Sequence, residues 1–144
     1  MEYEKFKKLL VNKEQPNVDF KLESHAFASK TEYFNAELVK DICAMANNGN
    51  VSSYLIIGVS DDVKSFKSVQ NQKLTDENVQ SLCKTAIYPP PKIRFLKKRW
   101  SENVLHEHKD KDFVIIQIGP HPKQVFRLAK DFIDYKEKNL FQKK

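Results

Sequence analysis

The stretch SYLIIGVS, residues 53–60, constrains the fold of this chain more than any other segment. Its apolar run is continuous rather than alternating, and it is too short to form a helix. A strand of this kind is normally covered by other elements on both of its faces. The run therefore predicts a central β-strand in a sheet that has helices packed against it.

One helix is predicted before this strand in the sequence and another after it. The segment NAELVKDICAMANN, residues 35–48, has a broad apolar stripe from which Glu37, Lys40 and Asp41 are excluded. Gly49 can adopt a positive φ and end this helix. The segment TDENVQSLCKTAIY, residues 75–88, starts with a capping Thr or Asp and is followed by three prolines that end it. The apolar stripe of the first of these helices consists of Leu38, Val39, Ile42, Cys43, Met45 and Ala46.

The remaining segments complete an α+β pattern. YEKFKKLLVNKE predicts an N-terminal helix, and NVDFKLES alternates Val18, Phe20 and Leu22 with polar residues, as a half-buried strand does. KIRFLKKRW and DFVIIQIG predict two strands, and QVFRLAKDFIDYK predicts a hairpin that turns near Lys130 and Asp131. We therefore predict one compact domain over residues 1–144, a mixed central β-sheet with helices packed on it, and a chain that could be part of a longer protein.

Composition favours an anionic partner. The net charge of +6 over 144 residues makes nucleic acid the first candidate, although many small soluble proteins are as basic without binding it. No apolar run approaches the ~20 residues that span a membrane, and the N-terminus has no signal-peptide pattern. Cys43 and Cys83 fall on apolar helix faces, as buried free thiols do. These features predict a cytoplasmic protein with no membrane partner.

Three stretches, in order, resemble the Schlafen AlbA-like domain, also called the AlbA_2 or divergent AAA-4 domain. They are E…VDFK at residues 14–21, AELVKDICAMANN at residues 36–48 and YLIIGVSDD at residues 54–62. The family pattern is a Glu, four residues, Glu-Phe-Lys, a helix ending in Ala-Phe-Ala-Asn, a glycine pair, and a strand ending in Ile-Gly-Val-Asp-Asp. The later DFVIIQIGPHPKQVF resembles a further strand and proline-containing turn of the family, so the resemblance covers most of the chain.

The chain departs from that pattern at three points. DFK replaces Glu-Phe-Lys, Gly49 stands alone in place of the glycine pair, and Ser60 aligns with the first Asp of the Asp pair. Bacterial members of the family are described as DNA-binding or transcription-regulator modules. Animal Schlafens carry a metal-dependent endoribonuclease with three carboxylates, and the resemblance implies that Glu14, Asp19 and Asp61 are their counterparts here.

The chemistry of these residues suits phosphodiester cleavage. Carboxylates bind Mg²⁺ or Mn²⁺, which can polarise a phosphate and activate water. Lys21 lies on the same strand face as Asp19 and can neutralise charge on the phosphate. We therefore predict Glu14, Asp19, Lys21 and Asp61 as catalytic residues, with Glu14, Asp19 and Asp61 as metal ligands. The same residues also fit an ordinary solvated strand face, with Asp61 and Asp62 starting a turn.

A second set of candidates forms a basic, aromatic-containing segment. Cations can pair with phosphates, and aromatic rings can stack on unpaired bases. An edge strand protected by lysines, with its aromatic residues inside, fits the same pattern. The candidate nucleic-acid-binding residues are Lys92, Arg94, Lys97, Lys98, Arg99 and Trp100, with Arg127 from the predicted hairpin.

Together these features predict a nucleic-acid-binding domain whose partner is RNA or DNA. Metal-dependent RNA cleavage, with Mg²⁺ or Mn²⁺ as cofactor, is the sharper hypothesis. The alternative is a non-catalytic regulatory or protein-interaction module that controls an attached domain. A homodimer, or pairing with a second similar domain, is a further partner that this interpretation allows.

Overall fold

A four-stranded mixed sheet forms the centre of the structure, a computed structural model that describes residues 1–12, 15–27 and 32–129. The strands are β1 Val18–Lys21, β2 Ser53–Ile57, β3 Ile87–Tyr88, β4 Ile93–Lys98, β5 Phe113–Ile118 and β6 Arg127–Leu128. The strand order in this sheet is β1-β2-β5-β4, with β1 and β2 parallel and the other neighbours antiparallel. A second sheet pairs the two short strands β3 and β6.

Helices cover both faces of the four-stranded sheet, which confirms the predicted α+β class. Helix α1, Tyr3–Val11, packs on one face, whereas α2, Glu32–Ala46, and α3, Asp76–Ala86, contribute to the core on the other. Every residue of β2 is buried, as its continuous apolar run predicts. The six apolar residues predicted for the stripe of α2 are all buried too.

The end of α3 differs from the prediction. The sequence pattern extends this helix through Tyr88, but it ends at Ala86, and Ile87–Tyr88 forms β3. Tyr88 directly precedes Pro89, and the residue before a proline is biased away from the helical region. The backbone therefore becomes extended there and pairs with β6, Arg127–Leu128.

The first strand is also shorter than predicted. Leu22 was expected to face the core, but β1 ends at Lys21 and Leu22 is 37% exposed. The backbone N–H groups of Gly58 and Val59 both donate to the Lys21 carbonyl, which ends the regular ladder there. The predicted hairpin turn near Lys130 and Asp131 lies outside the described residues.

Two further findings concern the helices and the cysteines. No helix among the described residues is long and apolar enough to cross a membrane. Cys43 and Cys83 are buried free thiols, as their positions on apolar helix faces predict. Burial raises the pKa of the Cys83 thiol to about 12, so this thiol remains protonated and inert at neutral pH.

Helix α1 is held against the sheet by a cluster of rings. Phe6 is fully buried, and its ring centroid lies 4.8 Å from that of Trp100. The Tyr3 hydroxyl accepts a hydrogen bond from the Leu105 backbone N–H and lies 2.8 Å from Nδ1 of the buried His108. The hydroxyl proton can therefore be donated to Nδ1, an arrangement that requires a neutral imidazole.

Acidification is expected to weaken this arrangement. Burial lowers the pKa of His108 below its ordinary 6.5, and the positive charges of Lys111 and Lys7 act in the same direction, outweighing Glu107. Because the folded-state pKa is the lower one, this contribution to stability is complete above about pH 6.5 and declines as the pH falls towards the folded-state value. Chemical denaturation at several pH values should therefore show that the free energy of unfolding decreases as the pH is lowered below about 6.5.

The variant His108→Gln isolates this contribution. It should flatten the decline in the free energy of unfolding between about pH 7 and pH 5 without abolishing it. Part of the pH dependence remains in this variant because burial also lowers the pKa of His121. An unchanged pH dependence in His108→Gln would contradict this assignment.

Candidate phosphate-handling site

The edge strand β1 separates its side chains onto two faces. Val18 and Phe20 are buried in the core beneath α1, whereas Asp19 and Lys21 are partly exposed and lie on the opposite face. This is the face against which α2 packs, because Lys21 contacts Asp41 of that helix. Alternation along the strand thus explains both the apolar and the polar residues of VDFK.

Lys21 is the centre of a small charged cluster. Its ammonium Nζ lies 2.9 Å from Oδ2 of Asp41 and 3.6 Å from Oδ2 of Asp19. Asp41 Oδ2 is buried and, although it is within ion-pair distance of Lys21, forms no geometrically satisfactory hydrogen bond among the described residues. We call Asp19, Lys21 and Asp41 the Lys21 cluster.

The pKa values in the cluster reflect this arrangement. Burial raises the pKa of Asp19, and the negative charges of Asp41 and Asp61 raise it further against the opposing pull of Lys21. Burial disfavours the charge on Lys21, but its contacts with Asp41 and Asp19 outweigh that effect and raise its pKa. Asp19 is therefore a stronger base than a solvated aspartate, beside a lysine that stays charged.

Asp61 lies on the turn that follows β2, the strand next to β1. Its charge raises the pKa of Asp19, which places the two carboxylates within electrostatic range of each other. Asp62 is directed into its own turn instead, with Oδ1 accepting from the Ser60 hydroxyl at 2.6 Å and from the Lys64 N–H at 3.1 Å. The structure thus distinguishes two consecutive aspartates.

Among the predicted catalytic residues, the described structure brings together Asp19 and Lys21 and places Asp61 within electrostatic range of Asp19. Glu14 lies outside the described residues. Asp41 was not predicted as a site residue, because its position off the apolar stripe of α2 gave it the pattern of a solvated helix face. Its contact with Lys21 depends on how α2 packs beside β1, which a single helix pattern does not encode.

Carboxylates, the donors that hard divalent cations prefer, occur at this edge. No three His, Cys, Asp or Glu side chains within residues 1–12, 15–27 and 32–129 form a group that could hold a metal ion. Mg²⁺, however, is commonly bound by one or two carboxylates together with waters and substrate phosphates. Asp19 and Asp61 supply carboxylates of this type, with Lys21 beside Asp19.

Three of the predicted basic residues, Arg94, Lys97 and Lys98, lie on β4, which is at the opposite edge of the sheet from the Lys21 cluster. Lys92, Arg94 and Lys97 are exposed, and Lys98 is partly buried. β1 and β4 are separated by three strand spacings, about 14 Å. The two predicted sites are therefore distinct regions of one domain.

Three other predicted binding residues already have partners in the structure. Arg99 forms a bidentate pair with Asp112, with both N···O distances 2.9 Å. Trp100 is partly buried against Phe6, and the Arg127 guanidinium lies 5.3 Å from the centroid of the exposed Tyr88 ring. Trp100 thus fits the core interpretation of its segment, whereas Arg127 and Tyr88 present a cation and a ring together.

Substitutions of the aspartates should separate their effects on Asp19. Asp41→Asn removes a negative charge and should lower the pKa of Asp19, and Asp61→Asn should do so by a smaller amount. The side-chain carboxyl carbon of Asp19, followed by NMR during a pH titration, reports this shift. Asp62→Asn is the control and should leave it unchanged. If the pKa of Asp19 is the same in Asp61→Asn as in wild type, Asp61 does not belong to the site.

Comparison with known proteins identifies a family. A family model described as Schlafen, AlbA_2 matches residues 14–143, which is most of the chain. No curated protein and no solved structure matches the chain.

Proposed function

Because this chain belongs to the Schlafen AlbA_2 family, we propose that it binds nucleic acid through the phosphate backbone and cleaves RNA at the β1 edge of its sheet. Family membership supports a nucleic-acid-related role. The observation that carries the proposal of cleavage is the convergence of Asp19, Lys21 and Asp41 at one edge, with the charge of Asp61 in range.

Each residue of this edge has a role in the proposed reaction. Lys21 binds the scissile phosphate and stabilises the charge that develops on it in the transition state. Its longer contact, 3.6 Å to Asp19, is the one that it gives up to do so, while Asp41 retains the ammonium at 2.9 Å. Asp19, beside Lys21 on the same strand face, would hold the divalent cation that activates the attacking water.

A divalent cation would be held by Asp19 and Asp61, with Glu14 as the further ligand implied by the family pattern. When bound, Mg²⁺ or Mn²⁺ supplies Lewis acidity towards the phosphate and lowers the pKa of a coordinated water. Lys21 is held at the same edge by its ion pair with Asp41.

One observation favours the alternative, a non-catalytic regulatory or protein-interaction module. The Lys21 ammonium lies between two carboxylates, so the cluster is also complete as a structural ion pair joining α2 to β1. In that case the protein would bind nucleic acid or a partner domain without cleaving RNA. A homodimer and a cytoplasmic location remain predictions under either function.

The exposed cations on β4 and directly before it are proposed to bind the backbone away from the reacting phosphate. Arg94 and Lys97 are exposed on this edge strand and Lys92 is exposed just before it, where a phosphate can approach them. Binding of this kind releases counterions, so affinity should fall steeply with salt and depend little on sequence.

Substitutions on β4 test this binding mode. Lys97→Ala should reduce the slope of log affinity against log salt by about 1, because one phosphate contact is lost. Arg99→Ala should change the slope less, since its guanidinium is already paired with Asp112. Fluorescence anisotropy of a labelled single-stranded RNA over a salt series measures both slopes. Equal slopes for wild type and Lys97→Ala would remove Lys97 from the interface.

A further inference from the structure

A cavity of about 310 Å³ opens at the carboxyl ends of the parallel strands β1 and β2. One wall is the segment that starts at Leu22, directly after Lys21, and the other is formed by residues 67–71. Ile57, the last residue of β2, lines it between these walls. We call this space the Leu22 cavity. The proposed cleavage reaction does not use it.

Several contacts hold the two walls in place. The Asn71 side-chain NH₂ donates to the carbonyls of Ser24, at 3.0 Å, and Ala26, at 2.8 Å. An ion pair between Glu23 and Lys67 also joins the two walls. The cavity is therefore built before a ligand arrives, as small-molecule pockets usually are.

The lining of the cavity combines apolar with polar groups. Leu22 supplies exposed aliphatic surface beside the nearly fully buried Val69, whereas Glu23 and Gln70 supply hydrogen-bonding groups. A planar heterocycle with polar edges matches this combination, because its faces need apolar contacts and its edges need donors and acceptors. A carboxylate can accept from an exocyclic amine of a base, and a glutamine can pair with adenine.

An aromatic ring also lines the cavity. The ring of His25 lines it, and its centroid lies 5.2 Å from that of Phe34 on α2. His25 is exposed, with 58% of its side chain accessible. Unpaired bases commonly stack on rings of this kind.

We propose that the Leu22 cavity binds one nucleobase of a single-stranded nucleic acid whose adjoining phosphate lies at Lys21. This inference rests on the proposed function and adds base selection to it. Glu23 follows Lys21 by two residues, so their Cα atoms are at most about 7 Å apart. Phosphate capture and base recognition thus lie within reach of one nucleotide. The cavity makes the protein favour a base at one position of an otherwise sequence-independent contact.

The test compares oligonucleotides of equal length and equal charge. Wild type should bind an oligomer of uridine, cytidine or adenosine more tightly than an abasic ribose-phosphate oligomer, by roughly 5- to 150-fold, the effect of one stacked base. The affinities of wild type for the uridine, cytidine and adenosine oligomers should also differ from one another. Equal affinity for all four oligomers would overturn the base-binding proposal but leave backbone binding intact. Absence of binding to all of them would overturn the proposed function as well.

Variants place the effect in the cavity. Gln70→Trp puts a large ring at an exposed lining position and should reduce the affinity for base-bearing oligomers to that for the abasic one. Gln72→Trp is the matched control, since Gln72 is exposed but does not line the cavity, and it should behave as wild type. Glu23→Gln retains the volume and should change the ranking of the bases. Base preference that survives both Gln70→Trp and Glu23→Gln would place recognition elsewhere and overturn the proposal.

Discussion

Gly58→Ala is expected to lower the free energy of unfolding by about 2–5 kcal/mol. Gly58 has φ +114°, a conformation that L-residues with a side chain rarely adopt. A Cβ at this position would lie 2.8 Å from Cδ1 of Phe113 and 2.9 Å from the Lys67 carbonyl oxygen. Backbone strain and overpacking therefore add together. Denaturant unfolding monitored by circular dichroism measures the loss.

Gly49→Ala is the control for this prediction. Gly49 also has a positive φ, +71°, but among the described residues, apart from Gly49 and its two chain neighbours, no atom lies within 4 Å of the position that a Cβ would occupy. It should cost only the conformational penalty, about 1–2 kcal/mol. The difference between the two variants then measures the close approach at Gly58. Equal losses in the two variants would contradict the packing described around Gly58.

Gly58→Ala should also disturb both proposed sites, the Lys21 cluster and the Leu22 cavity. The Gly58 N–H donates to the Lys21 carbonyl, and the Lys67 N–H donates to the Gly58 carbonyl. Gly58 thus lies between the strand that carries the Lys21 cluster and a wall of the Leu22 cavity. Displacement at Gly58 should change RNA affinity even under conditions where the variant remains folded.

Asp19→Asn is expected to reduce RNA cleavage by roughly 100-fold or more while leaving affinity within about threefold of wild type. The amide keeps the shape of the side chain but loses the charge that a divalent cation requires. Lys21 keeps its shorter ion pair, with Asp41, so the fold should survive. Single-turnover cleavage of a labelled single-stranded RNA at saturating protein concentration measures the rate separately from binding.

Asp62→Asn provides the matched control. Asp62 is a neighbour of Asp61 in sequence, but its carboxylate is engaged within its own turn, with Ser60 and Lys64. Its substitution should leave the cleavage rate close to that of wild type, whereas Asp61→Asn should lower it. If Asp62→Asn lowers the cleavage rate as much as Asp61→Asn, the rate depends on the conformation of the turn and not on the Asp61 carboxylate.

The fold was largely readable from the sequence because its strongest patterns are local. The uninterrupted apolar run of β2 and the six-residue stripe of α2 each require burial, and both are buried. The errors discussed above arose at element ends. Leu22 continued an alternating pattern past the last strand residue, and Tyr88 continued a helical one into a proline.

The candidate site was only partly readable. Alternation placed Asp19 and Lys21 on one face, and the neighbouring position of β1 and β2 followed from no local signal. Asp41 reaches Lys21 through the packing of α2, and Arg99 is paired with Asp112 across 13 residues. Contacts of this kind depend on tertiary packing, and neither hydrophobic periodicity nor charge spacing reports them.

The most direct test of RNA cleavage at the β1 edge is the metal dependence of the wild-type reaction. Purified protein is incubated with single-stranded RNA in Mg²⁺ or Mn²⁺, and in a matched buffer with chelator. The proposed function predicts cleavage with the metal, none with the chelator, and loss of the metal-dependent activity in Asp19→Asn. Tight binding of the same RNA with no cleavage in either metal would contradict it and support the regulatory alternative.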